Sequence, residues 1–86
     1  MNKEDLIQEF ENKVIKITDE CLKKIENTDP TKTPEILDEF QRLVADETPK
    51  IIDKAITNNI DDRINLIQRL AEVSIDYASK LKLKVQ

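Results

Sequence analysis

The sequence predicts an all-α fold, an antiparallel three-helix bundle, and three observations carry that expectation. The chain contains no glycine, which removes the residue that tight hairpins, left-handed helix caps and phosphate-cradling loops rely on. Apolar residues recur at steps of three and four in three separate stretches, the spacing of one face of an α-helix. Two short polar runs separate those stretches, Asn27-Thr28-Asp29-Pro30-Thr31-Lys32 and Asn58-Asn59, and each is brief enough to force an antiparallel return.

The first helix is expected over residues 2–27. Asn2 is a suitable N-cap, and Glu4 and Asp5 place negative charge at the positive end of the helix dipole. Ile7, Phe10, Val14, Ile17, Cys21 and Ile25 then form nearly three heptads of a helix–helix seam. Outside the seam, Glu9–Lys13, Asp19–Lys23 and Glu20–Lys24 are acid-before-base pairs at i, i+4, each expected to support the helix by ~0.2–0.5 kcal/mol.

The middle helix, expected over 34–57, is signalled twice. Thr33-Pro34 and Thr48-Pro49 both have the form of an N-cap followed by proline at the first helical position, and TPEILDEF is echoed by TPKIIDKA. Leu37, Val44 and Ile51 nevertheless keep a seven-residue spacing across Pro49, so one long helix bent at Pro49 is favoured over two helices meeting at Thr48. After it, Asn58-Asn59 can take up the left-handed conformation that glycine would otherwise supply. Asp61-Asp62 then opens a third helix over 61–82, with Ile64, Ile67, Ala71, Ser74, Ala78 and Leu81 as its stripe, widened by Leu70 and Tyr77. The small Ala71, Ser74 and Ala78 would let a neighbouring helix approach closely.

The composition excludes several classes of function. At 86 residues the chain is one domain, and such a length buries only about 60–65% of the unfolded surface, so stability should be modest and support from a partner plausible. Histidine is absent, which removes the usual general base, the triad relay, the commonest zinc ligand and the Glu-x-x-His motif of di-iron bundles. Cys21 is the sole cysteine. It stands in the apolar seam without a histidine to activate it, and core packing is its expected role. No calcium-loop motif occurs, and the acids have basic neighbours in the manner of a solvated face, as in Asp38–Arg42, Asp46–Lys50 and Asp76–Lys80. We therefore expect no cofactor, no metal and no enzymatic activity.

Net charge is −4, and residues 1–79 sum to −7 (11 basic minus 18 acidic) because Lys80, Lys82 and Lys84 supply +3 at the end. Such a body should repel nucleic acid and membranes, and a nucleic-acid site would want more than three arginines and some stacking aromatics. No apolar run approaches the length of a membrane span, and the acids in MNKEDLIQEF do not suit a signal peptide, so a cytoplasmic protein is expected.

Two places invite contact with a partner. Glu47-Thr48 interrupts the middle stripe beside Pro49, making a polar waist that a bend could expose; the alternative is that Thr48 bonds its own backbone while Glu47 swings to solvent. Lys80, Lys82 and Lys84 form a basic tail at 80–86, either a helix end with lysines complementing the dipole or an extended strand adding to a partner's sheet. The candidate partner-binding residues are thus Glu47, Thr48, Pro49, Lys80, Lys82 and Lys84. The expected function is an intracellular protein–protein interaction module, a small subunit or adaptor docking another protein or a second copy of itself through an apolar helical face. The alternatives are an acidic inhibitor of a basic enzyme or nucleic-acid-binding protein, and a carrier of an apolar ligand between splayed helices.

Overall fold

The computed structural model describes residues 1–85; Gln86, the end of the expected tail, lies outside the described residues. Three helices follow one another, α1 (Lys3–Glu26), α2 (Thr33–Thr57) and α3 (Arg63–Lys84), with a 3-10 turn at Pro30–Lys32 leading into α2. They make the antiparallel three-helix bundle that the glycine-free, three-stripe sequence predicts. α1 packs broadly against both α2 and α3, which meet each other less fully. The result is a slender body, 46 × 18 × 15 Å, with a radius of gyration of 14.2 Å, against about 12 Å for a rounded domain of this length.

The helix ends are built without glycine. At the start of α1, Asn2 Oδ1 accepts from the Asp5 backbone N–H at 2.9 Å while Asp5 Oδ2 accepts from the Asn2 N–H at 3.0 Å, a reciprocal capping box. At its end the Asn27 side-chain amide donates to the Lys23 carbonyl at 2.8 Å, and Asn58 does the same to Lys54 at 2.7 Å at the end of α2. Asn59 then adopts φ 53, and the Ile60 N–H reaches back to the Ala55 carbonyl at 2.9 Å. This is a Schellman closure with asparagine in the position glycine usually fills.

Two boundaries differ from expectation. Thr33 is not the N-cap of α2. The chain turns earlier, where Asp29 accepts from the Thr31 N–H at 2.9 Å and Pro30 starts the 3-10 turn, so Thr33 is already helical and Pro34 still falls in the first turn. α3 begins at Arg63 rather than residue 61, because Asp62 sits at φ 59 in the left-handed region and cannot belong to the helix. It runs on to Lys84, so Lys80–Lys84 is helical and the extended-strand alternative for the tail does not hold.

The core is almost wholly aliphatic, with Phe10 and Phe40 as its two large rings. α1 supplies Leu6, Ile7, Phe10, Val14 and Cys21, and α2 supplies Ile36, Phe40, Val44, Ile51 and Ala55. Thr18 is buried with them, its hydroxyl satisfied by the Val14 carbonyl at 2.7 Å.

On α3 the expected stripe holds in part: Leu81 and the widening residues Leu70 and Tyr77 face the core, while Ile64, Ile67 and Ala71 face away from it. Leu66, Leu70 and Leu81 are the buried residues, with Val73, Tyr77 and Ala78 packed beside them, whereas Ile64 and Ile67 are 75% and 47% exposed. The physical reason is competition between two stripes on one helix. Leu66, Leu70, Tyr77 and Leu81 bury more apolar surface than Ile64 and Ile67 interleaved with the small Ala71 and Ser74. Polar contacts to α1 hold α3 in this rotation: Arg69 clasps Glu4 with both guanidinium nitrogens at 2.9 and 3.3 Å, Lys3 donates to Asn65 at 2.6 Å, and the Tyr77 hydroxyl donates to Glu11 at 3.2 Å.

The charges likewise pair between helices where pairing within a helix was expected. Lys13 reaches Glu47 on α2 at 3.1 Å, Glu9 takes Lys54 at 2.6 Å, and Lys24 takes Glu39 at 2.6 Å. Antiparallel packing sets these groups at matching heights, and a partly shielded partner across the interface outcompetes a solvated one on the same helix.

Candidate functional site

Pro49 lies inside α2, which is continuous from Thr33 to Thr57, so the two helix signals belong to a single helix. Proline has no N–H, and the Ala45 carbonyl loses its i+4 donor there. One residue back along the helix, the Thr48 hydroxyl donates to the Val44 carbonyl at 3.3 Å. Glu47 neither swings to solvent nor stands open to a ligand. Its carboxylate is held between Lys13 at 3.1 Å and Lys50 at 3.3 Å and is only 19% exposed. Burial alone would raise the Glu47 carboxyl, but the hydrogen bonds and charges of Lys13 and Lys50 outweigh it and hold it below the usual carboxylate range. The polar waist is therefore divided. Glu47 is a clasp toward α1, Pro49 is exposed, and Thr48 faces the other way.

The side Thr48 faces is a groove between α2 and α3, with a cavity volume of about 430 Å³. Phe40, Gln41, Val44, Ala45 and Thr48 form one wall, and Ile67, Leu70, Ala71, Ser74, Ile75 and Ala78 the other. No charged residue lines it, in a chain that is 37% charged. Two hollows of about 500 and 580 Å³, one at the α2–α3 turn and one along α1, are by contrast lined with Asp61, Asp62 and Arg63, and with Asp5, Glu9, Lys13 and Lys16. The uncharged groove exists because α3 turns its leucine stripe toward α1 and leaves its isoleucine, alanine and serine stripe outside.

Lys80, Lys82 and Lys84 lie in the last turns of α3. The Lys80 ammonium sits 4.5 Å from the Tyr77 ring centroid, a cation–π contact, while Lys82 and Lys84 are exposed. Among the described residues no hydrogen bond or ion pair joins these lysines to the Glu47–Pro49 waist. Of the six candidate residues, Thr48 alone lines the groove.

Gln41, Ala45 and Ile75 are the groove residues that periodicity did not single out. For Ile75 the signal was present as an absence of charge: residues 64, 67, 68, 71, 74, 75, 78 and 79 contain no Asp, Glu, Lys or Arg, and that sector is wider than one helix seam requires.

The site offers little for chemistry on a bound molecule. Cys21 is 1% exposed, and burial, reinforced by Glu39, pushes its thiol up. Among the described residues, no group of three or more His, Cys, Asp or Glu side chains is placed to hold a metal ion, and no helix is long and apolar enough to cross a membrane. The groove itself is a trough with apolar walls and the short hydroxyl and amide groups of Thr48, Ser74 and Gln41. No known protein family, curated protein or solved structure matches this chain.

Proposed function

We propose that this chain is a non-enzymatic intracellular protein–protein interaction module, a small subunit or adaptor that docks through the groove between α2 and α3. The observation that carries the proposal is the charge-free sector around that groove. Ile75 and Ile67 are 64% and 47% exposed there, although elsewhere the surface is densely charged. A three-helix bundle with one open apolar side has the geometry to accept a fourth helix, read by anchors at helical spacing. The lysines at the end of α3 would then guide orientation rather than supply affinity.

The alternative of an acidic inhibitor draws less support, because Glu4, Glu9, Glu39 and Glu47 are already neutralised by Arg69, Lys54, Lys24 and Lys13. The groove volume of about 430 Å³ does favour one other use, as a seat for an apolar ligand, since small-molecule sites span ~300–1,000 Å³. Its open side argues for a helix instead. The test is a nuclease-treated pull-down from the source cell with quantified mass spectrometry, repeated with Ile75→Asp. A stoichiometric protein that is lost on substitution and barely responds to salt supports the proposal. Steep salt sensitivity would favour the acidic inhibitor, and co-purifying lipid would favour the carrier.

A further inference from the structure

We propose that the occupant of the groove is a second copy of this chain, with the two α3 helices lying antiparallel about a two-fold axis at Ala71. The inference rests on the interaction-module reading and names the partner for it. On its outward side α3 carries Ile64, Ile67, Ala71 and Ile75, the three isoleucines 75%, 47% and 64% exposed, and the half-buried Ala78, which packs on the core, stands at the edge of the same face. The spacing of these five is 3, 4, 4, 3, symmetric about Ala71. In an antiparallel pair centred there, Ala71 meets Ala71 of the second copy, Ile67 meets Ile75, and Ile64 meets Ala78. The alanines at the axis let the backbones approach to the low end of the usual ~8–10 Å, and at the ends a bulky side chain faces a small one. A two-fold interface must be self-complementary in this way; a foreign helix places no such demand on the sequence.

Charge follows the same symmetry. Asp61 precedes α3 and Lys82 lies in its last turn; both are exposed, and neither holds an ion pair among the described residues. An axis at Ala71 sets Asp61 of each copy opposite Leu81 of the other and one residue from Lys82, within reach of the long lysine side chain, so the pair can form twice per dimer, and it opposes the two helix dipoles. Parallel packing would instead put acid by acid and lysine by lysine. The strip from Ile64 to Ala78 is about 21 Å long at 1.5 Å per residue and no wider than the 18 Å body. That is the small end of specific interfaces, which fits a dimer in the micromolar range.

The test is sedimentation equilibrium of the full chain, with helicity and melting temperature confirming that each surface variant folds. The expected result is a monomer–dimer equilibrium whose Kd rises at least about tenfold in Ala71→Glu, where two carboxylates would meet on the axis. Asp61→Lys and Lys82→Asp should each weaken the dimer roughly threefold to tenfold, and the double substitution should restore it. Register is read by mild oxidation, Cys21 being buried: Ala71→Cys should cross-link to itself, whereas Ile64→Cys should cross-link only when mixed with Ala78→Cys. A chain that stays monomeric at about 1 mM, or Ile64→Cys linking to itself as readily as Ala71→Cys, overturns the self-pairing. If that monomer still captures a foreign protein through an Ile75→Asp-sensitive contact, the interaction module stands and only its partner was misidentified. If it captures nothing, both fall.

Discussion

Replacing Pro49 with alanine should stabilise the protein, and the size of the gain can be bounded. Pro49 is exposed within a continuous α2, so alanine removes no core contact. It adds an N–H that the Ala45 carbonyl can accept, a net hydrogen bond of about 1 kcal/mol. The full preference of a helix interior for alanine over proline, about 3 kcal/mol, is the ceiling, because α2 is braced by its neighbours and has already relaxed around the ring. Unfolding entropy of about 2.1 cal/mol/K per residue over 86 residues gives roughly 0.18 kcal/mol/K, so the melting temperature should rise by about 5–15 °C. Circular dichroism at 222 nm, by heating and in urea, is the assay. An unchanged or lower melting temperature would refute the reasoning, since it would mean that the proline shapes α2 to fit α1 and α3. Measured on the same variant, groove occupancy decides what the waist does: higher stability with unchanged association leaves Thr48-Pro49 without a part in docking, while higher stability with weakened association makes the proline a feature kept for the partner.

Leu66→Ala should cost about 2–5 kcal/mol because Leu66 is 0% exposed, whereas Ile64→Ala, two residues away at 75% exposed, should cost less than about 0.5 kcal/mol; equal losses in urea melts would place α3 in the wrong rotation. Glu47, with the more exposed Glu4 and Glu39, is held below the usual carboxylate range of about 4.5 in the folded state. The stability these groups confer is thus fully present above that value and lost as pH falls through their lowered pKa values. Glu47→Gln should accordingly cost about 1 kcal/mol near neutrality and flatten the acid limb of a pH–stability profile; an unchanged limb would exclude the Lys13–Glu47–Lys50 clasp as its source. Asn59→Gly should raise stability modestly and Asn59→Val lower it by about 1–2 kcal/mol, since φ is 53 at that position; thermal melts that rank the two the other way would contradict the left-handed closure of α2.

Most of the fold was legible because its signals are local. Glycine's absence, the Asn2 cap, the run 27–32 and the 3–4 spacing of α1 each act within a few residues, and Asn59 took the left-handed place that no glycine could fill. The seven-residue spacing of Leu37, Val44 and Ile51 across Pro49 outweighed the Thr-Pro signal, and a single helix resulted. What local signals misjudged were choices settled between helices. Lys13 had two acids in reach, Glu9 four residues back and Glu47 on α2, and sequence distance cannot express the second. Thr33 lost the N-cap of α2 to Lys32 because a turn capped by Asp29, which accepts from the Thr31 N–H at 2.9 Å, brings the chain into the helix before the Thr33 that looks like a cap. Of the candidate residues, Thr48 earned attention as a break in a stripe, and its place on the groove wall follows from that; Glu47 broke the same stripe for a different reason, as half of an interhelical ion pair.

The part of the expected α3 stripe that faces away from the core, Ile64, Ile67 and Ala71, carries the most information about function. A helix in a three-helix bundle needs one apolar stripe, facing the seam between its two neighbours. α3 has two. Leu66, Leu70, Val73, Tyr77, Ala78 and Leu81 satisfy that need, and Ile64, Ile67, Ala71 and Ile75 are left over. Periodicity reads one wide stripe and cannot say which edge of it faces the core, because that depends on the area each edge buries and on where Arg69 and Lys3 find partners. A solvent face with no role would be expected to share the charge density of the rest of the chain, as the outer faces of α1 and α2 do. Keeping charge out of it over four turns, while Glu72 and Asp76 stand immediately beside it, is the pattern of a surface that spends part of its time covered. The second stripe is the observation on which the proposed docking rests, and the symmetric register about Ala71 is what favours another copy over another protein as the cover to be tested first.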